Sequence, residues 1–215
     1  MTEPAVELCD VWSWYGSGPP VLRGANISVP CGEFVALVGS NGSGKTTLVK
    51  HVNGLIRPRR GQVRLCGDDT QHRSVGELAR RVGYLFQHPE HQIFSATVRE
   101  EVAFGPRNQG LAPPELEARV EAALERFDLS TVAAQPPAIL GYGLRRRVTL
   151  ASLAAMEPAV VVLDEPTVGL DAGGREETFQ WLSDLHARGR TILLVSHDMS
   201  VVARYADRVV VLQEG

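Results

Sequence analysis

Val35-Ala-Leu-Val-Gly39-Ser-Asn-Gly-Ser-Gly-Lys45-Thr46-Thr-Leu-Val-Lys-His51 decides the fold of this chain. A short apolar run stops at a glycine, Gly39–Thr46 fits the pattern GxxxxGK[ST], and a helix-forming stretch follows. Glycines let successive backbone N–H groups turn inward around an anion, and the helix behind them adds the positive end of its dipole. Gly39, Ser40, Asn41, Gly42, Ser43, Gly44, Lys45, Thr46 and Thr47 form that cradle. Lys45 is placed to neutralise β- and γ-phosphates, and Thr46 to ligate Mg²⁺. The flanking strand and helix set the segment apart from a chance glycine-rich turn.

Further along, Val160-Val-Val-Leu163 stops at Asp164, Thr191–Val195 stops at Ser196, and Arg208–Leu212 is a fourth apolar run. β-branched apolar runs separated by helical stretches predict buried parallel strands of an α/β sheet. Val6–Trp14 and Val21–Val29 alternate and, with Gly61–Cys66, predict a smaller antiparallel sheet. Ser74 and Glu77 make a capping box before Leu78. Pro113-Pro114 open a helix with Leu116, Val120, Leu124 and Phe127 on one face, and Gly173–Arg188 predicts another, stopped by Gly189. The expected organisation is one domain over 1–215. Residues 1–87 and 157–215 form its nucleotide-binding α/β core with the antiparallel sheet, and 88–156 an inserted helical subdomain.

Asp164 at the end of an apolar strand suits Mg²⁺, and Glu165 is placed to orient or activate an attacking water. No NKxD motif occurs, which disfavours a GTPase. The 215 residues are 44% hydrophobic and 22% charged, which fits a globular chain rather than a disordered one. With 22 basic and 25 acidic side chains the net charge is -3, which argues against a net-basic nucleic-acid binder. Cys9, Cys31 and Cys66 form no CxxC pair, so a reducing cytoplasm fits better than a disulfide or zinc framework. Met1–Asp10 lacks a leader pattern, and the apolar run Ala159–Leu163 is far too short to span a bilayer. Work at a membrane would need a partner that supplies it.

Other motifs accompany these two. Gln87 follows Gly83-Tyr-Leu-Phe86, Leu163-Asp-Glu-Pro-Thr167 continues to Gly169-Leu-Asp171, and Val195-Ser-His197-Asp198 comes some thirty residues after Asp164. In order and spacing the set, over Val6–Gly215, resembles the nucleotide-binding subunit of ATP-binding cassette transporters. The resemblance implies a P-loop NTPase (RecA-like) core, ATP and Mg²⁺ as ligands, and a dimer of two cassettes that sandwich ATP. It implies that Gln87 is the Q-loop glutamine, touching Mg²⁺ and linking the site to a membrane partner. Asp171 is then the D-loop aspartate at the dimer interface, and His197 the switch histidine at the γ-phosphate. Tyr15 matches the adenine-stacking aromatic, with a core or edge-strand tyrosine as the other reading.

Phe86–Pro106 resembles the Q-loop region of energy-coupling factor ATPases, which are similar to cobalt and nickel importer ATPases. That implies a motor for uptake of a vitamin or transition-metal ion, peripheral at the cytoplasmic face. An integral membrane transport component and a substrate-binding membrane component would be its partners. Ile93, Phe94, Val98 and Phe104 either fill the helical subdomain or line a groove for a partner's helix. His88 and His91 have no cysteine or carboxylate framework and read as solvated loop residues.

The family's signature loop is LSGGQ; here Leu140-Gly141-Tyr142-Gly143-Leu144 stands in its place. Gly141 lacks the serine hydroxyl, Tyr142 adds bulk where backbone should approach a phosphate, and Leu144 replaces an amide. The basic run Arg145-Arg-Arg147 is expected to keep some attraction for the phosphate. A heterodimer with a complementary cassette is favoured over a homodimer on this ground. The other readings are a partner subunit with low intrinsic ATPase and a soluble, non-transport cassette ATPase. Arg208–Gly215 looks like the first half of a terminal hairpin, which suits a short chain or one half of a longer polypeptide.

Overall fold

In chain order the elements are β1 (Val6–Ser13), β2 (Leu22–Val29), β3 (Phe34–Val38), α1 (Lys45–Val52), β4 (Arg60–Leu65), β5 (Asp68–Asp69), α2 (Val75–Ala79) and β6 (Val82–Leu85). Then follow α3 (Val98–Asn108), α4 (Pro113–Arg126), α5 (Tyr142–Met156), β7 (Val160–Asp164), α6 (Ala172–Ala187), β8 (Thr191–Val195), α7 (Met199–Tyr205) and β9 (Arg208–Val211). This computed structural model describes residues 3–215. Met1 and Thr2, the start of the segment searched for a leader, lie outside the described residues, as does the side chain of Glu90. The chain divides into two compact units, one of residues 1–84, 159–165 and 182–215, the other of residues 85–158 and 166–181.

Two sheets organise the first unit. β2-β1-β4-β5 is antiparallel, with Val6 of β1 opposite Val29 and Leu65. Val6, Leu8 and Val11 of β1 are buried while Cys9 and Asp10 are not. The alternation slips at Asp10, whose φ of 48° accompanies register shifts against both neighbours. The second sheet has the order β6-β7-β8-β3-β9. Its β7–β8, β8–β3 and β3–β9 pairs are parallel. β7 and β8 are buried along their whole length, as the apolar runs Val160–Leu163 and Ile192–Val195 suit central parallel strands.

Register then places chemistry. Leu37 and Asp164 both pair with Val195, so β3, β7 and β8 end in one row. Gly39, Glu165 and Ser196 leave the sheet together at its carboxyl edge, where ligands of open parallel sheets bind. β6 is an additional strand that periodicity did not expose, because its four buried residues include Gly83.

In the second unit α5 packs against α3 and α4. Val120 and Leu124 of α4, and Phe127 at its end, are buried, while Leu116 of the same predicted face is half-buried. The Phe127 ring meets Trp181 edge-on at 5.8 Å. Full burial of such a ring contributes about 1.5–3 kcal/mol. Thr97 and Glu100 form a capping box at the start of α3, and Ser74 and Glu77 form one at α2. Glu101 buries its carboxylate to accept the N–H groups of Phe94 (3.0 Å) and Ser95 (2.8 Å).

Candidate functional site

The loop between β3 and α1 is shaped by what its glycines avoid. A Cβ at Gly39 would collide with the Leu212 carbonyl and approach Ser43 Oγ to 2.9 Å. Gly44, with φ 103°, caps α1, and a Cβ there would sit 3.0 Å from Leu22 Cδ2. Lys45 Nζ donates to the carbonyls of Gly39 and Ser40, both at 2.9 Å, so its ammonium lies across the loop. Ser43 Oγ is buried without a hydrogen-bond partner among the described residues. A polar atom left so inside a glycine cradle fits a phosphate oxygen.

Thr46 Oγ1 donates to Asp164 Oδ2 at 2.7 Å. Asp164 ends β7 and is buried. A hydroxyl and a buried carboxylate in contact are hard oxygen donors of the kind Mg²⁺ takes, so the residues fit that ion. Tyr84 of β6 lies beside them. Burial first, and then the Asp164 charge, push its phenol well above the ordinary range. This neighbour was not legible in the motifs, because it stands on the strand that periodicity missed.

Glu165 follows with φ 51°, its N–H bonded to the Val195 carbonyl at 3.0 Å. His197 Nδ1 and Glu165 Oε1 are 2.9 Å apart. The Glu165 side chain is only 14% exposed, whereas that of His197 is 77% exposed. Its hydrogen bond to Glu165, then the Glu165 charge, raise the His197 pKa; Asp198 adds to this, and burial and Lys45 oppose it. Asp198 caps α7, accepting from the Ser200 and Val201 N–H groups.

Tyr15 is 54% exposed, with its hydroxyl 3.1 Å from Thr47 Oγ1. It stands in the turn after β1, outside the strand and outside the core. The first unit thus brings together Tyr15, Gly39–Thr47, Asp164, Glu165 and His197.

Gln87, Leu140–Leu144 and Asp171 belong to the second unit. Gly141 caps α5 in extended conformation without a side-chain bond, and a Cβ there would meet nothing within 4 Å. Tyr142 lays its ring on Gly169, where a Cβ would collide with it. Asp171 Oδ1 accepts from Gly174 N–H at 2.8 Å at the start of α6. The expectation that Arg145–Arg147 attract phosphate needs correction, because two of the three guanidiniums are engaged within the chain. Arg146 is fully buried and donates through Nε to the Pro166 carbonyl at 2.9 Å. Arg147 lies 3.7 Å from Asp128, 3.9 Å from Glu177 and 4.0 Å from Asp171. His88 and His91 meet ring to ring at 5.6 Å. No cluster of His, Cys, Asp and Glu among the described residues could hold a metal ion.

A family profile described as ABC transporter matches residues 22–168. An energy-coupling factor transporter ATP-binding protein of Methanocaldococcus jannaschii is 43% identical over 98% of this chain and 76% of its own length. A putative ABC transporter ATP-binding protein of Caldanaerobacter subterraneus subsp. tengcongensis is also 43% identical, but this chain spans only 37% of its length. Among solved structures, cbiO1 of Clostridium perfringens, part of the cbiONQ transporter complex, superposes with TM-score 0.84 at 34% identity, over 99% of this chain and 86% of that one. A dimeric ATP-binding cassette bound to ADP and Pi superposes with TM-score 0.88 at 29% identity, over 98% of this chain and 95% of that one. With its phosphate loop and acidic strand end, the chain belongs to the ABC transporter family, as an ATP-binding, ATP-hydrolysing cassette of the energy-coupling factor group.

Proposed function

We propose that this cassette is the ATP-hydrolysing subunit of an importer, working as one of two cassettes on a separate membrane component. The observation that carries the reading is the row of strand ends in the first unit. It sets Lys45, the Thr46–Asp164 pair and the Glu165–His197 pair on one edge of one sheet. The backbone N–H groups of Gly39–Lys45 and the Lys45 ammonium bind the β- and γ-phosphates. Thr46 and Asp164 would hold Mg²⁺, which supplies charge neutralisation at the phosphate oxygens, and Gln87 of the second unit is the Q-loop glutamine. Glu165 takes a proton from water as the water oxygen attacks the γ-phosphorus. The bond to the β–γ bridging oxygen breaks, leaving ADP and inorganic phosphate. His197 contacts the γ-phosphate and holds the Glu165 carboxylate in place. The exposed ring of Tyr15, tethered by its hydroxyl to Thr47, offers a face to adenine.

Residues 88–156 form the helical subdomain in this reading, and their apolar surface receives the membrane partner. Phe94 is 64% exposed and stacks edge-on against Phe104 at 4.6 Å. Among the described residues no helix is long and apolar enough to cross a membrane. Peripheral attachment at the cytoplasmic face follows if the partner supplies the span. The cargo, a vitamin or a transition-metal ion, and a substrate-binding membrane component belong to the same proposal. So does a complementary cassette as the dimer partner, because Gly141 and Tyr142 weaken the site that this chain completes in its partner.

Glu165→Gln tests the central assignment. Binding of ATP should persist while turnover falls by about 10²–10⁴-fold, the usual worth of a positioned general base. Normal turnover in the purified complex would remove Glu165 from that role.

A further inference from the structure

Among the described residues Arg146 is the largest fully buried side chain, yet it carries a charge and follows a loop whose sequence is eroded. Its guanidinium reaches two stretches of chain far apart in sequence. Nε donates to the Pro166 carbonyl at 2.9 Å, and Nη1 to the carbonyls of Phe86 and, at 3.4 Å, Gln87. These three acceptors are main-chain oxygens, so through them Arg146 fixes the course of the backbone. A planar fork with fixed donor directions can hold two chain segments at once, whereas an ammonium acts as a point charge.

Its neighbours on α5 extend the contact. Tyr142, four residues earlier and thus on the same helix face, seats its ring on Gly169, and Arg147 approaches Asp171. Tyr142, Arg146 and Arg147, in the first two turns of α5, therefore reach Gly169, Pro166 and Asp171 respectively. Only Arg146 among these three side chains also reaches the Gln87 backbone.

We propose that Arg146 is a positioning residue for the ATPase reaction, fixing the Gln87 loop and the segment directly after Glu165 against one helix. A change at Gln87 then reaches Pro166 through one rigid side chain. This rests on the roles given above to Gln87 and Glu165. Arg146 is fully buried and donates to main-chain carbonyls, so its effect falls on turnover and not on nucleotide capture.

The test uses the complex purified from membranes through a tag on this chain, with Arg146→Gln and Arg146→Lys. The affinity for a non-hydrolysable ATP analogue, kcat, KM and the thermal unfolding midpoint are measured for each. Arg146→Gln should lower kcat by about tenfold or more, the loss expected for one charge-assisted hydrogen bond, at unchanged analogue affinity. Arg146→Lys should fall between it and the parent. Wild-type kcat in Arg146→Lys would overturn the argument from the fork. So would a kcat loss in both variants that only follows loss of folded protein or of analogue affinity. If Arg146→Gln does not fold, Arg146→Lys decides alone by the same two criteria. Gln87→Ala and Glu165→Gln serve as references. Normal turnover in both would sink the underlying roles, and with them this inference. Defects in both beside wild-type rates for the Arg146 variants would sink this inference alone.

Discussion

Two loops in this protein run onto a helix through a glycine cap, and they end differently. Gly44 caps α1 with φ 103°, behind a cradle that Lys45 spans and in which Ser43 Oγ lies buried without a partner among the described residues. Gly141 caps α5 in extended conformation, with the Tyr142 ring spent on Gly169 and the Arg146 guanidinium on main-chain carbonyls. Both helix starts carry the same partial positive charge. A phosphate site also needs a cation that an anion can reach: Lys45 lies across its own loop, whereas Arg146 is fully buried. By that measure the start of α1 is equipped for an anion, and the start of α5 is largely occupied with its own chain.

The contrast extends to the apolar surface. The first unit gathers polar groups around the phosphate loop, while the second exposes the Phe94–Phe104 pair. If the second unit serves a membrane partner and the first the nucleotide, one substitution separates them. Phe94→Glu should weaken co-fractionation with membranes while nucleotide affinity stays at its parent value. Removing a ring worth about 2 kcal/mol of contact corresponds to roughly 30-fold in affinity, before the cost of burying the new charge. Retained co-fractionation would place the docking surface elsewhere.

Much of this division was legible in the chain itself. The apolar runs ending at Gly39, Asp164 and Ser196 are strands, and the Ser74–Glu77 box caps α2. Local signals carry this far because each is made by residues adjacent in sequence. β6 escaped, since a four-residue strand with an internal glycine has no period to read. Tyr84 escaped with it, because its meaning comes from Asp164, eighty residues away. Arg146 was misread for a different reason. Arginine is almost never fully buried, so three in a row read as a basic run able to attract phosphate. Only the carbonyls of Phe86, Gln87 and Pro166 show that one of them lies inside.

The α5 loop can be rebuilt to sharpen the comparison. Gly141→Ser adds a hydroxyl where a Cβ meets nothing within 4 Å, at a cap position whose extended backbone suits serine. Tyr142→Gly frees the backbone under the ring, and Leu144→Gln returns an amide. With this chain as the only cassette subunit, the triple variant should gain about tenfold in ATPase rate, the lower end for one restored bond to a charged group. No gain, with the unmodified homodimer already turning over at full rate, would show the altered loop to be harmless and remove the case for a complementary cassette.

The smallest effect concerns the intact site and comes from the Glu165–His197 contact. His197 is mostly exposed, and yet its pKa is raised, first by the hydrogen bond to Glu165 and then by that carboxylate's charge. A raised histidine pKa means that the folded state binds the proton more tightly than the unfolded chain does. The ion pair is therefore fully present below the ordinary histidine value of about 6.5. It is lost as pH rises through the higher folded value. Exposure keeps its contribution to stability small. Its spectroscopic signature is clear: in an NMR titration of the nucleotide-free protein, Glu165→Gln should bring the His197 midpoint down toward the ordinary value. Asp198→Asn should lower it less, because that charge is a weaker cause, and Lys45→Ala should raise it slightly by removing an opposing cation. A His197 midpoint that ignores Glu165→Gln would mean that the 2.9 Å contact does not persist in solution. The histidine would then be free of the carboxylate, and its proposed hold on Glu165 before the phosphate arrives would fall with it.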